Sequence, residues 1–271
     1  MRNRVITSCY VLVVALLLDP GSLFAAEDIR LATTTSTENS GLLKYLLPKF
    51  EESYGGKVRV VAVGTGASLK LGENCDADVV LVHARAAEDK FMEAGFGSVR
   101  KDVMYNDFII VGPKSDPAKV RGMTDVIAAM KTIAASGARF VSRGDESGTH
   151  TMEKNYWKAA GSKPEGAAYV SAGQGMGQVL TMAGELQGYT LTDRATFSAY
   201  AAKTGLETLV EGDPKMFNPY GIIAVNPEKC PTVNKGGAMA LVDWIASAKA
   251  QKAIADFRVD GKQVFFPSAK K

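Results

Sequence analysis

Apolar positions in this chain switch period at short, regular intervals. Ile29 to Thr34 is an apolar run that ends in the hydroxyl string TTTST. From Glu38 to Tyr54 the apolar residues Leu42, Leu43, Leu46, Leu47 and Phe50 then recur at the spacing of a helix. Val58 to Val63 reads as a second strand ending in GTGAS, followed by a short helix. Asp78 to Val82 reads as a third strand, followed by a helix from Ala86 to Ala94. This strand–helix alternation predicts an α/β fold with a mostly parallel sheet, its loops gathered at the carboxyl ends of the strands.

Phe108 to Val111 predicts a further strand, Pro117 to about Ala135 a helix, Phe140 to Ser142 a brief strand and Thr149 to Ala160 a helix with Trp157 on its apolar side. The glycine-rich stretch before Met176 leads into a helix to Glu185, and Gly188 to Leu191 forms a strand. Phe217 to Val225 is a strand carrying Pro219, and Gly237 to Ala255 is one long helix. The strands near 108–112 and 219–225 bracket a middle segment of about a hundred residues, enough for a domain of its own. The expectation is two lobes joined by two hinge crossings, 27–112 with 219–271 as lobe one and 113–218 as lobe two. Ligand loops of both would face a cleft between them.

Arg2 and Arg4 precede an apolar run from Tyr10 to Leu18, a Pro20–Gly21 break and the small residues Ala25 and Ala26. This reads as a secretory signal peptide spanning 1–26, too short to cross a bilayer. No cysteine stands directly after the run, so no lipid anchor is expected, and the destination is a bacterial periplasm. Beyond residue 26 the chain holds 30 Lys and Arg against 28 Asp and Glu, a balance that gives no reason to expect a nucleic-acid or membrane-surface partner. Cys75 and Cys230 remain; in an oxidising compartment they pair or stay as two buried thiols, and both readings are open.

Residues 142–150 read SRGDESGTH. Arg143 offers a planar fork of N–H donors, while Ser147, Gly148 and Thr149 stand where a loop turns into a helix and leaves backbone N–H groups free. Helix capping uses the same residue types, so the motif alone supports a capped helix start equally well. Five consecutive hydroxyl residues, Thr33 to Thr37, exceed what capping needs and favour ligand contact. In GTGAS, Thr65 and Ser68 can present hydroxyls at a helix start, and the glycines allow close backbone approach. The QGMGQ stretch 174–178 is a third glycine-rich helix start, while Asp193 beside Arg194 reads first as a structural ion pair. Several helix starts and one arginine suit a small tetrahedral dianion. Within the motif, Asp145 is expected to orient Arg143 and Glu146 to face away. An exported serine hydrolase using Ser147 and His150 is the rival from another class, but no glycine-flanked serine elbow and no clear acid accompany the pair. Two histidines and two distant cysteines form no metal cluster.

The segments TTTS (33–36), DADVVLVHARAAEDKFMEAGFG (76–97), DVMYNDFIIVGP (102–113), SRGDESGTH (142–150), GQGMG (173–177) and YTLTDRATF (189–197) resemble the tungstate-binding proteins of bacterial ABC transporters. The resemblance spans essentially the whole chain after residue 26. It implies a type II periplasmic binding protein that needs no cofactor, acts as a monomer, and passes tungstate to a membrane permease. Carried across, the ligand set is Thr34, Thr35 and Ser36, then Thr65 and Ser68, then Arg143, Ser147, Gly148 and Thr149. SRGDESGT is also similar to the RxDxSGT loop of phosphate-binding proteins, and molybdate matches tungstate in charge and nearly in shape. Phosphate and molybdate are therefore the alternative ligands, and only the family resemblance selects tungstate. Glu146 and the residues Ala67 and Ser68 depart from the family pattern.

Overall fold

The computed structural model describes residues 26–269; the signal-peptide segment expected over 1–26 lies almost wholly outside them. Strands β1 (Ile29–Thr34), β2 (Val58–Val63) and β3 (Val79–Val82) pair in parallel, with β1 between the other two. The helices between them are α1 (Thr35–Asn39), α2 (Leu42–Tyr54) and α3 (Thr65–Glu73), and α4 (Arg85–Glu93) follows β3. All four residues of β3 are buried, as expected for a parallel strand covered on both faces. The helix expected from 38 to 54 is two helices, because Gly41 adopts φ +80 and caps α2 in a left-handed conformation that a continuous helix cannot contain.

The largest departure from the sequence pattern is β4, which runs for 17 residues from Gly97 to Pro113, where only 108–111 was expected. Its first half pairs antiparallel with β9 (Phe217–Val225), from Gly97 opposite Val225 to Asp107 opposite Phe217. Its second half pairs with β7 (Thr190–Asp193) and β8 (Leu206–Val210). Charged residues 100–102 concealed the first half. Arg100 is tied to the fully buried carboxylate of Glu88 and to Asp102, which is what lets a charged stretch run through a packed sheet. The sheet is thus mixed, with β9 antiparallel to both β3 and β4.

Between β4 and β9 the chain builds α5 (Val126–Ser136), β5 (Phe140–Ser142), α6 (Gly148–Ala160), β6 (Tyr169–Ser171), α7 (Met176–Glu185) and α8 (Arg194–Thr204). Helix α5 starts nine residues later than expected, where the Asp125 carboxylate accepts the N–H groups of Ile127 and Ala128. The C-terminal helix expected over 237–255 is divided into α9 (Lys235–Ile245) and α10 (Ala248–Asp256), because Ser247 caps the second.

The buried apolar residues form four clusters. Two draw on residues 29–104 and 220–265, with Ala195 as their one member from between, and two draw on residues 108–216. A disulfide joins Cys75 to Cys230 across a sequence separation of 155, with the Cα atoms 5.2 Å apart. It fastens the segment after β9 to the end of α3, and of the two readings of these cysteines it is the paired one that is realised.

Candidate functional site

Four helix starts meet at the carboxyl ends of the strands. Each follows from local sequence: a short apolar strand, then a hydroxyl or glycine that permits a sharp turn, then the helix. Thr34 caps α1, its hydroxyl accepting the N–H of Thr37 at 3.3 Å, and also lies 3.0 Å from the Ser36 hydroxyl and 2.7 Å from that of Thr37. Gly64 caps α3 and Gly175 caps α7. Ser147 caps α6 by accepting the N–H of His150 at 3.2 Å. First-turn N–H groups of such helices have no partner within the helix, so each start is a patch of positive potential.

Arg143 is 2 % exposed, and its guanidinium is held from three sides. Nε donates to the Gln174 carbonyl at 2.9 Å, and Nη2 donates to Thr35 Oγ1 at 3.3 Å and pairs with the Asp145 carboxylate. Nη1 has no hydrogen-bond partner among the described residues. Asp145 also accepts the Ser147 N–H at 3.2 Å, so one carboxylate fixes both the arginine and the turn into α6. Glu146 faces outward, 74 % exposed at its side chain, and pairs with Lys154. The turn needs left-handed backbone twice, at Gly144 (φ +60) and at Glu146 (φ +57). The second is a strained choice for a residue with a Cβ.

The structure brings the predicted residues of the two parts of the chain into contact. Besides the Arg143 to Thr35 bond, Gly148 N–H donates to Thr65 Oγ1 at 3.2 Å, and Thr196 Oγ1 donates to the Ser36 carbonyl at 2.9 Å. A Cβ on Gly148 would lie 3.0 Å from Thr65 Oγ1 and 3.4 Å from the His83 ring, which is why glycine stands where the two loops close. Beside this contact lies a cavity of about 350 Å³ lined by Thr65, His83, Gly148 and Asn218. Ser68 plays a different part: its hydroxyl donates to the Thr33 carbonyl at 2.7 Å, tying α3 to the first loop rather than projecting a donor.

Thr149 stands apart from all of these. It is 1 % exposed, and its Oγ1 is fully buried with no hydrogen-bond partner among the described residues. A buried hydroxyl left unpaired is disfavoured by about 1–3 kcal/mol, so a donor at this helix start calls for an acceptor.

Four residues of the site escaped the sequence reading as a group. His83 is buried beneath the first loop, with Nε2 3.2 Å from Ser36 Oγ and Nδ1 2.9 Å from Asn218 Oδ1. Burial pulls its pKa down to about 4, with the Arg143 charge acting in the same direction and the Asn218 bond opposing. The ring is therefore neutral near pH 7. Asn218 Nδ2 donates to Asn106 Oδ1 at 2.7 Å, and Asn106 Nδ2 donates to Asp193 Oδ1 at 3.3 Å. Asp193 is not paired with Arg194; that arginine turns away to Asp107 and Glu211. The signal for Asp193 was its place at a strand end where it can line a cleft, and its carboxylate caps α8 by accepting the N–H of Thr196.

Ser147 and His150 do not form a nucleophile–base pair. The serine oxygen accepts the backbone N–H of His150, while the imidazole Nδ1 takes the N–H of Glu146 at 3.1 Å. What the arrangement can do is surround a small anion with one guanidinium edge, hydroxyls and helix-start amides from both parts of the chain.

Residues 25–249 match the PBP superfamily domain. The chain is 50% identical over 251 residues to the tungstate-binding protein TupA of Peptoclostridium acidaminophilum, an alignment covering 91% of this chain and 88% of that one. Among solved structures it is similar to the tungstate-binding protein TupA from Desulfovibrio alaskensis G20, at 51% identity and TM-score 0.74, covering 90% of this chain and 100% of that chain. It is likewise similar to the tungstate ABC transporter protein from Geobacter sulfurreducens, at 56% identity and TM-score 0.78, covering 85% and 98%.

Proposed function

The chain belongs to the TupA family of tungstate-binding proteins within the PBP superfamily, and from that premise we propose that it captures tungstate and delivers it to an ABC transporter. Its task is binding, not catalysis. In this reading 27–112 with 219–271 and 113–218 are two lobes hinged through β4 and β9. Tungstate sits between them, held by Arg143, Thr149 and Gly148 on one side and by Thr34, Thr35, Ser36 and Thr65 on the other, with Ser147 shaping the loop. The protein acts as a periplasmic monomer, and the closed form is what a membrane permease recognises. None of the described helices is long and apolar enough to cross a membrane.

The observation that carries the reading is the buried Thr149 hydroxyl, unpartnered among the described residues, in the same loop-and-helix start as the buried Arg143. Both are donors, and they sit where the first loops of the two lobes touch. A ligand that only accepts hydrogen bonds completes them, and a fully deprotonated tetrahedral dianion is such a ligand.

Titration calorimetry against tungstate, molybdate, sulfate and phosphate tests the assignment. Tungstate should bind most tightly and raise the melting temperature in proportion to the logarithm of its concentration over Kd. Phosphate or sulfate as the sole binder would overturn it. The Thr149→Val variant separates binding from folding. With the orphan hydroxyl gone, the ligand-free protein should melt at the same temperature or higher, while tungstate binds about tenfold to a hundredfold more weakly, the worth of one hydrogen bond to a charged group. An unchanged Kd would place Thr149 outside the contact shell.

A further inference from the structure

We propose that this protein takes up its dianion together with one proton from solvent, and that the proton is held by Asp193; the inference rests on the anion-binding reading above. Asp193 ends β7 and is fully buried. Its Oδ1 accepts the Thr196 N–H at 2.9 Å and Asn106 Nδ2 at 3.3 Å, whereas Oδ2 is buried with no partner among the described residues. An ionised carboxylate with one oxygen stripped of every donor is poorly stabilised, so the protonated form lies close in energy. Burial raises the Asp193 pKa, against the Thr196 and Asn106 bonds and the charge of Arg143.

The surrounding charges decide what happens when an anion arrives. The charge of Arg143 acts on Asp193, and Arg143 is already paired with Asp145. Tyr220, on β9, is held neutral by burial and by the Asp193 charge itself, and His83, at the end of β3, is neutral. Arg194 on α8 is bound to Asp107 and Glu211. Glu153 on α6 is occupied by Ser142, Trp157 and Tyr169. Free of ligand, the cleft sets one guanidinium against two carboxylates. Two more negative charges at Arg143, in space with little water, bring the balance to one against four, and protonating Asp193 is the change that relieves it with least rearrangement. Tungstate carries no titrating proton near neutral pH, so this one comes from the buffer.

A directed chain of hydrogen bonds joins Asp193 to the ligand loop. Asn106 and Asn218 sit directly opposite in the β4–β9 ladder, at the crossing between the lobes. Both amide nitrogens donate toward Asp193, so Asn218 Oδ1 accepts from His83 Nδ1, and the neutral ring offers Nε2 as an acceptor to Ser36. Every donor in the chain points toward the Asp193 charge. Neutralising that charge weakens the pull along the chain, and the Ser36 hydroxyl is then less committed to His83 and better able to turn to the anion.

The test is calorimetric titration of the mature protein with sodium tungstate at about pH 8, in buffers of differing ionisation enthalpy. The apparent binding enthalpy should vary linearly with buffer enthalpy, with a slope of about one proton taken up per anion. Because the complex holds the extra proton, affinity should fall as pH rises, by up to about tenfold per unit wherever Asp193 is ionised in the free protein and protonated in the complex. Asp193→Asn retains a good N-cap, and in it both the slope and the pH dependence should vanish. A zero slope in the unmodified protein overturns the proposal. So does a slope that survives Asp193→Asn, or one that disappears in His83→Gln while the aspartate is intact. If tungstate produces neither heat nor thermal stabilisation at any pH, the anion-binding reading itself fails and the inference with it.

Discussion

Lysine in place of Arg143 should weaken tungstate binding by about a hundredfold to a thousandfold, with only a small change in the melting temperature of the ligand-free protein. The charge survives such a replacement; the geometry does not. Arg143 is positioned through Nε on the Gln174 carbonyl and Nη2 on Thr35 and Asp145, which leaves the Nη1 edge presented as a rigid donor pair. An ammonium group must choose between Asp145 and the anion, and has no planar fork with which to serve both. Losing about two charge-assisted bonds at the lower end of the range, roughly 1.5–2 kcal/mol each, gives the stated range. Arg143→Ala should bind more weakly still, because Asp145 is then left unpaired beside an incoming dianion. The check is the Kd of each variant by calorimetry. A lysine variant within threefold of the unmodified protein would mean that Arg143 serves the fold of the loop and not the ligand.

That the arginine loop was readable from sequence, and its support was not, has a physical reason. SRGDESGTH is a local motif: the donor, its orienting carboxylate, the left-handed glycine and the helix cap all fall within nine residues, and each leaves its trace in residue type. TTTST announced itself in the same way. His83, Asn106, Asn218 and Asp193 are brought together only by strand pairing, across sequence separations of 87 to 135 residues. A single histidine after an apolar strand, or one asparagine in each of two strands, has no local pattern. Asp193 and Arg194 show how sequence adjacency misleads. At the point where β7 becomes α8 the two side chains part, one into the core and one to the surface.

The fold divides along the same line. The β1–α–β2–α–β3 unit was legible because period two and period 3.6 alternate cleanly there. Helix α8 was missed because only its first turn, Ala195 to Phe197, is buried apart from Thr204 at its end, so it lacks a repeating apolar face. The start of β4 was missed because its charged residues are satisfied by partners on α4 and within the strand itself. Strand β9 was recognised, but nothing local reveals that it runs antiparallel to both neighbours. That is a property of where the chain returns, and it makes β4 and β9 the pair of strands passing between the proposed lobes.

The Cys75–Cys230 bond should be the largest single covalent contribution to stability, and its removal should leave ligand binding untouched. It closes a loop spanning a sequence separation of 155. Chain-entropy arguments for a loop of that size give up to about 5 kcal/mol, and native bridges are generally worth about 2–5. For a chain of this length that corresponds to a fall in melting temperature of roughly 5–15 °C in the Cys75→Ser, Cys230→Ser double variant. The bridge fastens the end of α3 to the segment after β9, within a cluster containing Leu69, Val80 and Phe91, and neither cysteine contacts the converging helix starts. Tungstate should therefore bind the variant with an unchanged Kd. Since stabilisation by ligand depends only on concentration over Kd, saturating tungstate should raise the stability of both proteins by the same free energy. Scanning calorimetry with and without tungstate reads both quantities in one experiment. A variant that melts within about 2 °C of the parent would show that noncovalent packing alone holds the returning segment. A reduced tungstate increment would instead show that the bridge pre-shapes the loop carrying Thr65 at the start of the same helix.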